Sequence, residues 1–255
     1  MIEKKQEKII ILRLLISIFT LLGLIIIPGI CVNAETVVLE GGEEAGYVVE
    51  YDADTEECVV TFTTNNGVRD WKKTELNYET NQFESIAEKY ADKITKVVIG
   101  KDLTAAYIDG AVISGFSKLQ TIEVDPENTR ICVEDNIVYN FKKGAKGNEM
   151  LLLPMSKCTE EYTLPEDVKV IGEHLFDNNT VVKKLIAKDI ATVGSWAFNK
   201  SSIQEFECNT LQTISYSGFQ YAADLEKITI KSNGSDPVSL SDSAFEGCSK
   251  LKEFP

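Results

Sequence analysis

The amino-acid sequence predicts a mainly β (α+β) repeat solenoid of about 20–26 residues per turn, preceded by a small β-rich unit that ends in a helix. Three observations predict it. Four groups of apolar residues share offsets of 5, 11 and 14 from their first member. In the second half of the chain the first members recur 22, 21 and 26 residues apart. Small residues stand at fixed places beside them. Offsets of 5, 11 and 14 match neither a helix nor an alternating strand. They fit a chain that returns to one inner wall on every turn, each turn burying its apolar face against its neighbours.

The chain is expected to begin with an export signal. Lys4, Lys5 and Lys8 precede an apolar run over 9–27 that only Arg13 interrupts. Pro28 and Gly29 break that run, and Val32-Asn33-Ala34 supplies a processing site with cleavage expected after Ala34. The alternative is an uncleaved membrane anchor, since the run nearly spans a bilayer. Arg13 and the break before Ala34 favour cleavage. The membrane is expected to matter only through this segment.

Residues 35–93 read as a separate preamble. Short β-branched and aromatic segments at 36–39, 47–51 and 58–63 are divided by Gly41-Gly42, by 52–57 and by Asn65-Asn66-Gly67, all turn chemistry. After Trp71, Asn81 precedes Phe83, Ile86, Ala87 and Tyr90 at helical spacing, so a helix is expected there. This unit would also cover the open end of the solenoid.

From residue 94 the chain repeats. The groups are Ile108, Ile113, Leu119, Ile122; Ile171, Phe176, Val182, Leu185; Ile214, Phe219, Leu225, Ile228; and Leu240, Phe245, Leu251, Phe254. A fifth, Val193, Phe198, Ile203, Phe206, fits with one residue deleted before its third member. All are expected in the core. Gly172, Gly194, Ser215 and Ser241 follow first members and suit a tight bend.

Val170-Ile171-Gly172-Glu173-His174-Leu175-Phe176 and Thr192-Val193-Gly194-Ser195-Trp196-Ala197-Phe198 resemble the "IG..AF" core of BspA-type leucine-rich repeats. The stretch from Ser243 through Phe245, Gly247, Cys248, Leu251 and Phe254 to Pro255 is similar to that family's "AF.GC..L..I.IP". Asn136-Ile137-Val138-Tyr139 and Met150-Leu151-Leu152-Leu153-Pro154 resemble its inserted hairpin, expected at about 123–165. The resemblance covers roughly 94–255. It implies a leucine-rich repeat solenoid and a bacterial, secreted or cell-surface protein with an adhesion or host-interaction role. No capping repeat follows Phe254, so an end-to-end contact at the last turn is a further expectation.

Composition narrows the chemistry. Lys plus Arg number 26 against 40 Asp plus Glu, a formal charge of -14. Removing 1–34 takes away four basic and two acidic residues, which moves it from -14 to -16. So acidic a chain lacks the cationic surface that nucleic acid requires. One histidine, His174, argues against His-based catalysis, and a structural role is expected for it. Cys58, Cys132, Cys158, Cys208 and Cys248 remain after the leader, an odd number without metal-ligand spacing. They read as small buried residues, with pairing of Cys132 and Cys158 left open. The acidic stretch of Asp52, Asp54, Glu56 and Glu57 reads as a solvated turn rather than a calcium loop. No phosphate loop, nucleophile elbow or zinc motif is present. No cofactor, metal or enzymatic activity is expected.

The useful surface is what the repeats hold outward. If Leu185, Phe206 and Ile228 point inward on successive strands, Lys184, Ile186, Glu205, Glu207, Lys227 and Thr229 point out as one face. A protein ligand, host or extracellular, is the expected partner. Two alternatives stay open: a carbohydrate-binding or wall-associated protein, with Tyr47, Tyr51 and Trp71 stacking on sugars, and a structural surface-assembly component.

Overall fold

The computed structural model describes residues 36–77, 82–142, 144–232, 236–252 and 254. The expected export signal, 1–34, lies outside them. Alternating burial starts at once: Tyr47 and Val49 in β2 (Tyr47–Asp52), and Cys58, Val60 and Phe62 in β3 (Glu57–Phe62), face one core. With β1 (Val37–Gly42) these strands form an antiparallel meander. β3 then pairs in parallel with β6 (Lys96–Ile99), which pairs with β7 (Thr121–Val124). One five-stranded sheet therefore runs across residue 93. Residues 35–93 are not a separate preamble: Trp71, Tyr47 and Phe62 share a core with Ile99, Ile108, Phe116 and Leu152.

Between β3 and β6 the chain departs from expectation twice. Asn65-Asn66-Gly67 opens α1 (Asn65–Lys72) instead of a turn, with the Thr64 hydroxyl accepting from the Gly67 N–H. Val68 and Trp71, one helical turn apart, bury on its inner face. The helix expected from Asn81 starts later. Residues Gln82–Ser85 form β5 against β4 (Thr74–Asn77), and α2 covers only Ile86–Tyr90. A capping box sets that start: the Ser85 hydroxyl accepts from the Glu88 N–H, and the Glu88 carboxylate accepts from the Ser85 N–H.

β8 (Ile131–Glu134), β9 (Ile137–Lys142) and β10 (Ala145–Leu152) fold as an antiparallel meander. β10 continues into the solenoid by pairing in parallel with β12 (Val170–Ile171). From there two walls rise in register. One is β12, β14 (Thr192–Val193), β16 (Thr213–Ile214) and β18 (Ser239–Leu240), aligning Ile171, Val193, Ile214 and Leu240. The other is β11 (Glu161–Thr163), β13 (Lys184–Ile186), β15 (Glu205–Cys208) and β17 (Lys227–Ile230), aligning Leu185, Phe206 and Ile228. Between them Phe176, Phe198 and Phe219 stack with centroids 4.9 and 4.6 Å apart.

The core expectation holds for most of these residues and fails at one. Leu240 is 47% exposed, because β18 is an edge strand with β16 on one side only. Phe245 and Phe254 are half-buried and pack against the core. Gly172 also has a different cause from the tight bend expected. A β-carbon there would stand 2.3 Å from the Met150 carbonyl oxygen, so glycine admits the neighbouring turn's backbone.

Each turn then bends through paired left-handed residues. Those two before and two after each ladder phenylalanine have φ between 51° and 76°: His174 and Asn178, Trp196 and Lys200, Ser217 and Tyr221, Ser243 and Gly247. Across each bend every second N–H points toward the next turn. His174, Phe176 and Asn178 donate to the carbonyls of Ser195, Ala197 and Asn199, and the following turns repeat this. These bonds satisfy backbone groups that a loop of this length would leave bare.

Candidate interaction surfaces

Alternation along β13, β15 and β17 does the positioning on the strand face. Leu185, Phe206 and Ile228 are buried, and their neighbours turn outward. Parallel pairing lines these neighbours up. One row reads Glu161, Lys184, Glu205, Lys227, and the next Thr163, Ile186, Glu207, Thr229. Glu205 and Lys227 are exposed, whereas Lys184, Ile186, Glu207 and Thr229 are half-buried. Charges alternate along the first row, with the Lys184 ammonium 3.6 Å from the Glu161 carboxylate. In the second, Glu207 accepts a hydrogen bond from Lys231, which holds its carboxyl below the usual range.

A second surface was missed by sequence reasoning. It lies on the bends that follow the short strands. The rings of His174 and Trp196 stack 5.2 Å apart, and Tyr216 meets Trp196 edge-on at 5.1 Å. Tyr216 and Tyr221 are each 47% exposed. A polar row runs beside the rings. Asn199 donates to Asp177 at 2.9 Å, Gln220 donates to Glu246 at 2.8 Å, and the Tyr221 hydroxyl donates to Glu246 at 3.2 Å. Those donors, Gln220 foremost, hold the Glu246 carboxyl below its ordinary value. Aligning the turns on their phenylalanines would have shown the row. Trp196 stands two residues before Phe198 and Tyr216 three before Phe219, so a fixed offset hides it.

His174 Nδ1 lies 3.1 Å from the Asp177 carboxylate, a pairing that orients the ring in its stack. All five cysteines among the described residues are free thiols, Cys132 and Cys158 included. Cys158 sulfur accepts instead from the Asn179 amide at 3.3 Å. Burial pushes the Cys208 thiol up to about 12 and Cys248 to about 11, which makes them unreactive. Among the described residues no group of three or more His, Cys, Asp or Glu is placed to hold a metal ion. No described helix is long and apolar enough to cross a membrane. Trp71 and Tyr47, two of the three rings weighed for sugar stacking, are buried, while Tyr51 is half-buried beside an open groove with Lys93 and Gln120.

Parallel walls rising turn by turn, with one aromatic ladder inside and repeated bends outside, define a repeat scaffold. Residues 155–255 match the BspA type leucine rich repeat region in six copies, and this part of the chain is a BspA-type leucine-rich repeat. Three solved structures are similar at low identity. The pneumococcal vaccine antigen PcpA is 19% identical, with a TM-score of 0.47, covering 63% of this chain and 38% of that one. A leucine-rich repeat protein from Eubacterium ventriosum is 20% identical, with a TM-score of 0.40 and coverage of 62% and 47%. A leucine rich cell surface protein from Faecalibacterium prausnitzii is 16% identical, with a TM-score of 0.41 and coverage of 63% and 51%. The chain thus spans between 38% and 51% of these proteins' lengths. Comparison with curated proteins finds no match.

Proposed function

We propose that this is an exported repeat protein, secreted or held at the bacterial surface, that recognises another protein in an adhesive role. It performs no catalysis and uses no cofactor. The face around Lys184, Ile186, Glu205, Glu207, Lys227 and Thr229 makes the contact. The observation that carries this reading is the register: three parallel strands hold these six side chains outward in two straight rows. Rigid backbone positions limit the ordering cost of binding, and a nearly flat row suits another protein's surface better than a small molecule. An apolar Ile186 among charges gives such a face a desolvated centre.

The test screens purified 35–255 against an array of extracellular host proteins and glycans, then repeats it with Ile186→Arg, Thr229→Arg. Both positions lie on the outer side of the strands, so folding is expected to survive. Loss of protein binding by more than about tenfold, roughly 1.4 kcal/mol, is the expected result. A folded double variant that binds its partner fully would place recognition elsewhere.

A further inference from the structure

We propose that the bends of the last turns form a second docking surface, distinct from the strand face, for a basic, arginine-bearing segment of a partner protein. The internal repeat supplies a control. Two residues before each ladder phenylalanine the backbone is left-handed, and the four turns place His174, Trp196, Ser217 and Ser243 there. Two residues after it stand Asn178, Lys200, Tyr221 and Gly247. Serine, asparagine and glycine therefore satisfy the bend. A left-handed φ is costlier for a bulky ring than for glycine or asparagine. The fold does not need Trp196 or Tyr221, yet the chain carries them at its surface, Trp196 half-buried and Tyr221 exposed.

Their arrangement states the ligand chemistry. His174 stacks flat on Trp196 at 5.2 Å and Tyr216 meets it at a steep angle at 5.1 Å, so one flat face of the indole is occupied by the imidazole. The open rings are Tyr216 and Tyr221; the Glu246 carboxylate accepts from the Tyr221 hydroxyl, and Glu173 and Asp242 on the same set of bends are exposed as Glu246 is. Lys200 is the single lysine or arginine on these bends. Exposed aromatic rings on bends that carry carboxylates and almost no cations suit guanidinium groups, which lie on aromatic rings and pair with carboxylates through one planar fork.

The experiment titrates purified 35–255 with hexa-arginine, hexa-lysine, hexa-glutamate and chito- and cello-oligosaccharides. Two tryptophans are present; Trp71 is fully buried, so a change in exposed emission reports on Trp196. Hexa-arginine is expected to bind, more tightly than hexa-lysine, with an emission shift. Trp196→Ser and Tyr216→Ser are each expected to weaken it about tenfold, a loss of one rim contact. Asp242→Asn, Glu246→Gln is expected to do the same while keeping every ring. Ile186→Arg, Thr229→Arg should leave it unchanged, which separates this surface from the strand face. Unchanged hexa-arginine affinity in folded Trp196→Ser and Tyr216→Ser would reduce the binding to bulk acidity and overturn the proposal. Oligosaccharide binding that depends on these rings, without arginine binding, would overturn it too.

Discussion

Phe198 and Phe219 lie face to face, with ring centroids 4.6 Å apart and planes 1° from parallel. Two successive turns are locked by this contact, and Phe206 closes both rings from the side at 5.9 and 5.6 Å. Removing Phe198 leaves a cavity with rigid walls above and below, because neither neighbouring turn can collapse without breaking its inter-turn hydrogen bonds. Phe198→Ala is expected to cost about 3–5 kcal/mol. Phe245→Ala, at a half-buried ring, should cost clearly less. Urea unfolding of the two variants, followed by circular dichroism, measures the difference. Equal losses would mean that the ladder does not gain from being flanked on both sides.

Gly172 makes a sharper test of the inter-turn spacing. Its added β-carbon would meet the Met150 carbonyl at 2.3 Å and the backbone of Leu151 at 3.4 Å. Backbone cannot rotate aside as a side chain can, so Gly172→Ala must push two turns apart. A destabilisation of about 1–3 kcal/mol is expected, in the range for overpacking. Ser215 occupies the same place two turns later, so Ser215→Ala is expected to cost under about 0.5 kcal/mol, like other mild substitutions. Thermal unfolding of both variants distinguishes local crowding from a general intolerance at this register.

The ladder was legible because it repeats. One inward residue per bend recurs at fixed offsets, and Ile171, Phe176 and Leu185 all lie where the spacing puts them. The bends were less legible. A left-handed residue here is imposed by the neighbouring turn's carbonyls, not by its own side chain, so Trp196 and Tyr221 give no local sign of it. At α1, Asn-Asn-Gly has the composition of a turn, and only the burial of Val68 and Trp71 against distant residues makes it helical. The strand face could be named residue by residue because alternation is a property of single strands. The row of rings required comparing turns whose offsets differ by one.

Cys208 gives a dependence on pH with a definite sign. Burial raises its thiol from the ordinary value of 9.0 to about 12, so the folded state favours the neutral form. A group raised on folding contributes its full stability below the unfolded value and loses it as pH rises through the folded one. Stability linked to Cys208 should therefore be intact at pH 7 and fall between about 9 and 12. Cys208→Ser removes that alkaline slope. Ellman's reagent at pH 8 should leave Cys208 unmodified in the native protein and label it in urea. Rapid native labelling of Cys208, read by mass spectrometry, would contradict its burial.

Trp71 decides whether the solenoid can stand without its first sixty residues. Its indole N–H donates to the Val112 carbonyl at 3.0 Å, and Tyr47, Phe62, Tyr90 and Phe116 pack around the ring at 5.4 to 6.3 Å. Val112 and Phe116 belong to the first repeat-like turn, so the contact joins the two stretches of chain on either side of residue 93. β3 also supplies the parallel partner for β6. A 94–255 fragment would lose both. It would bare Val97, Ile99, Ile108 and Phe116 together with an unpaired strand edge, a surface prone to association. Trp71→Phe, which keeps an aromatic ring but strands the Val112 carbonyl, is expected to cost about 1–3 kcal/mol. The fragment is expected to aggregate or to show poorly dispersed amide resonances, while 35–255 gives a dispersed spectrum. A well-dispersed, monomeric 94–255 would show that the repeats close their own first turn and that the N-terminal strands are an addition to a finished fold.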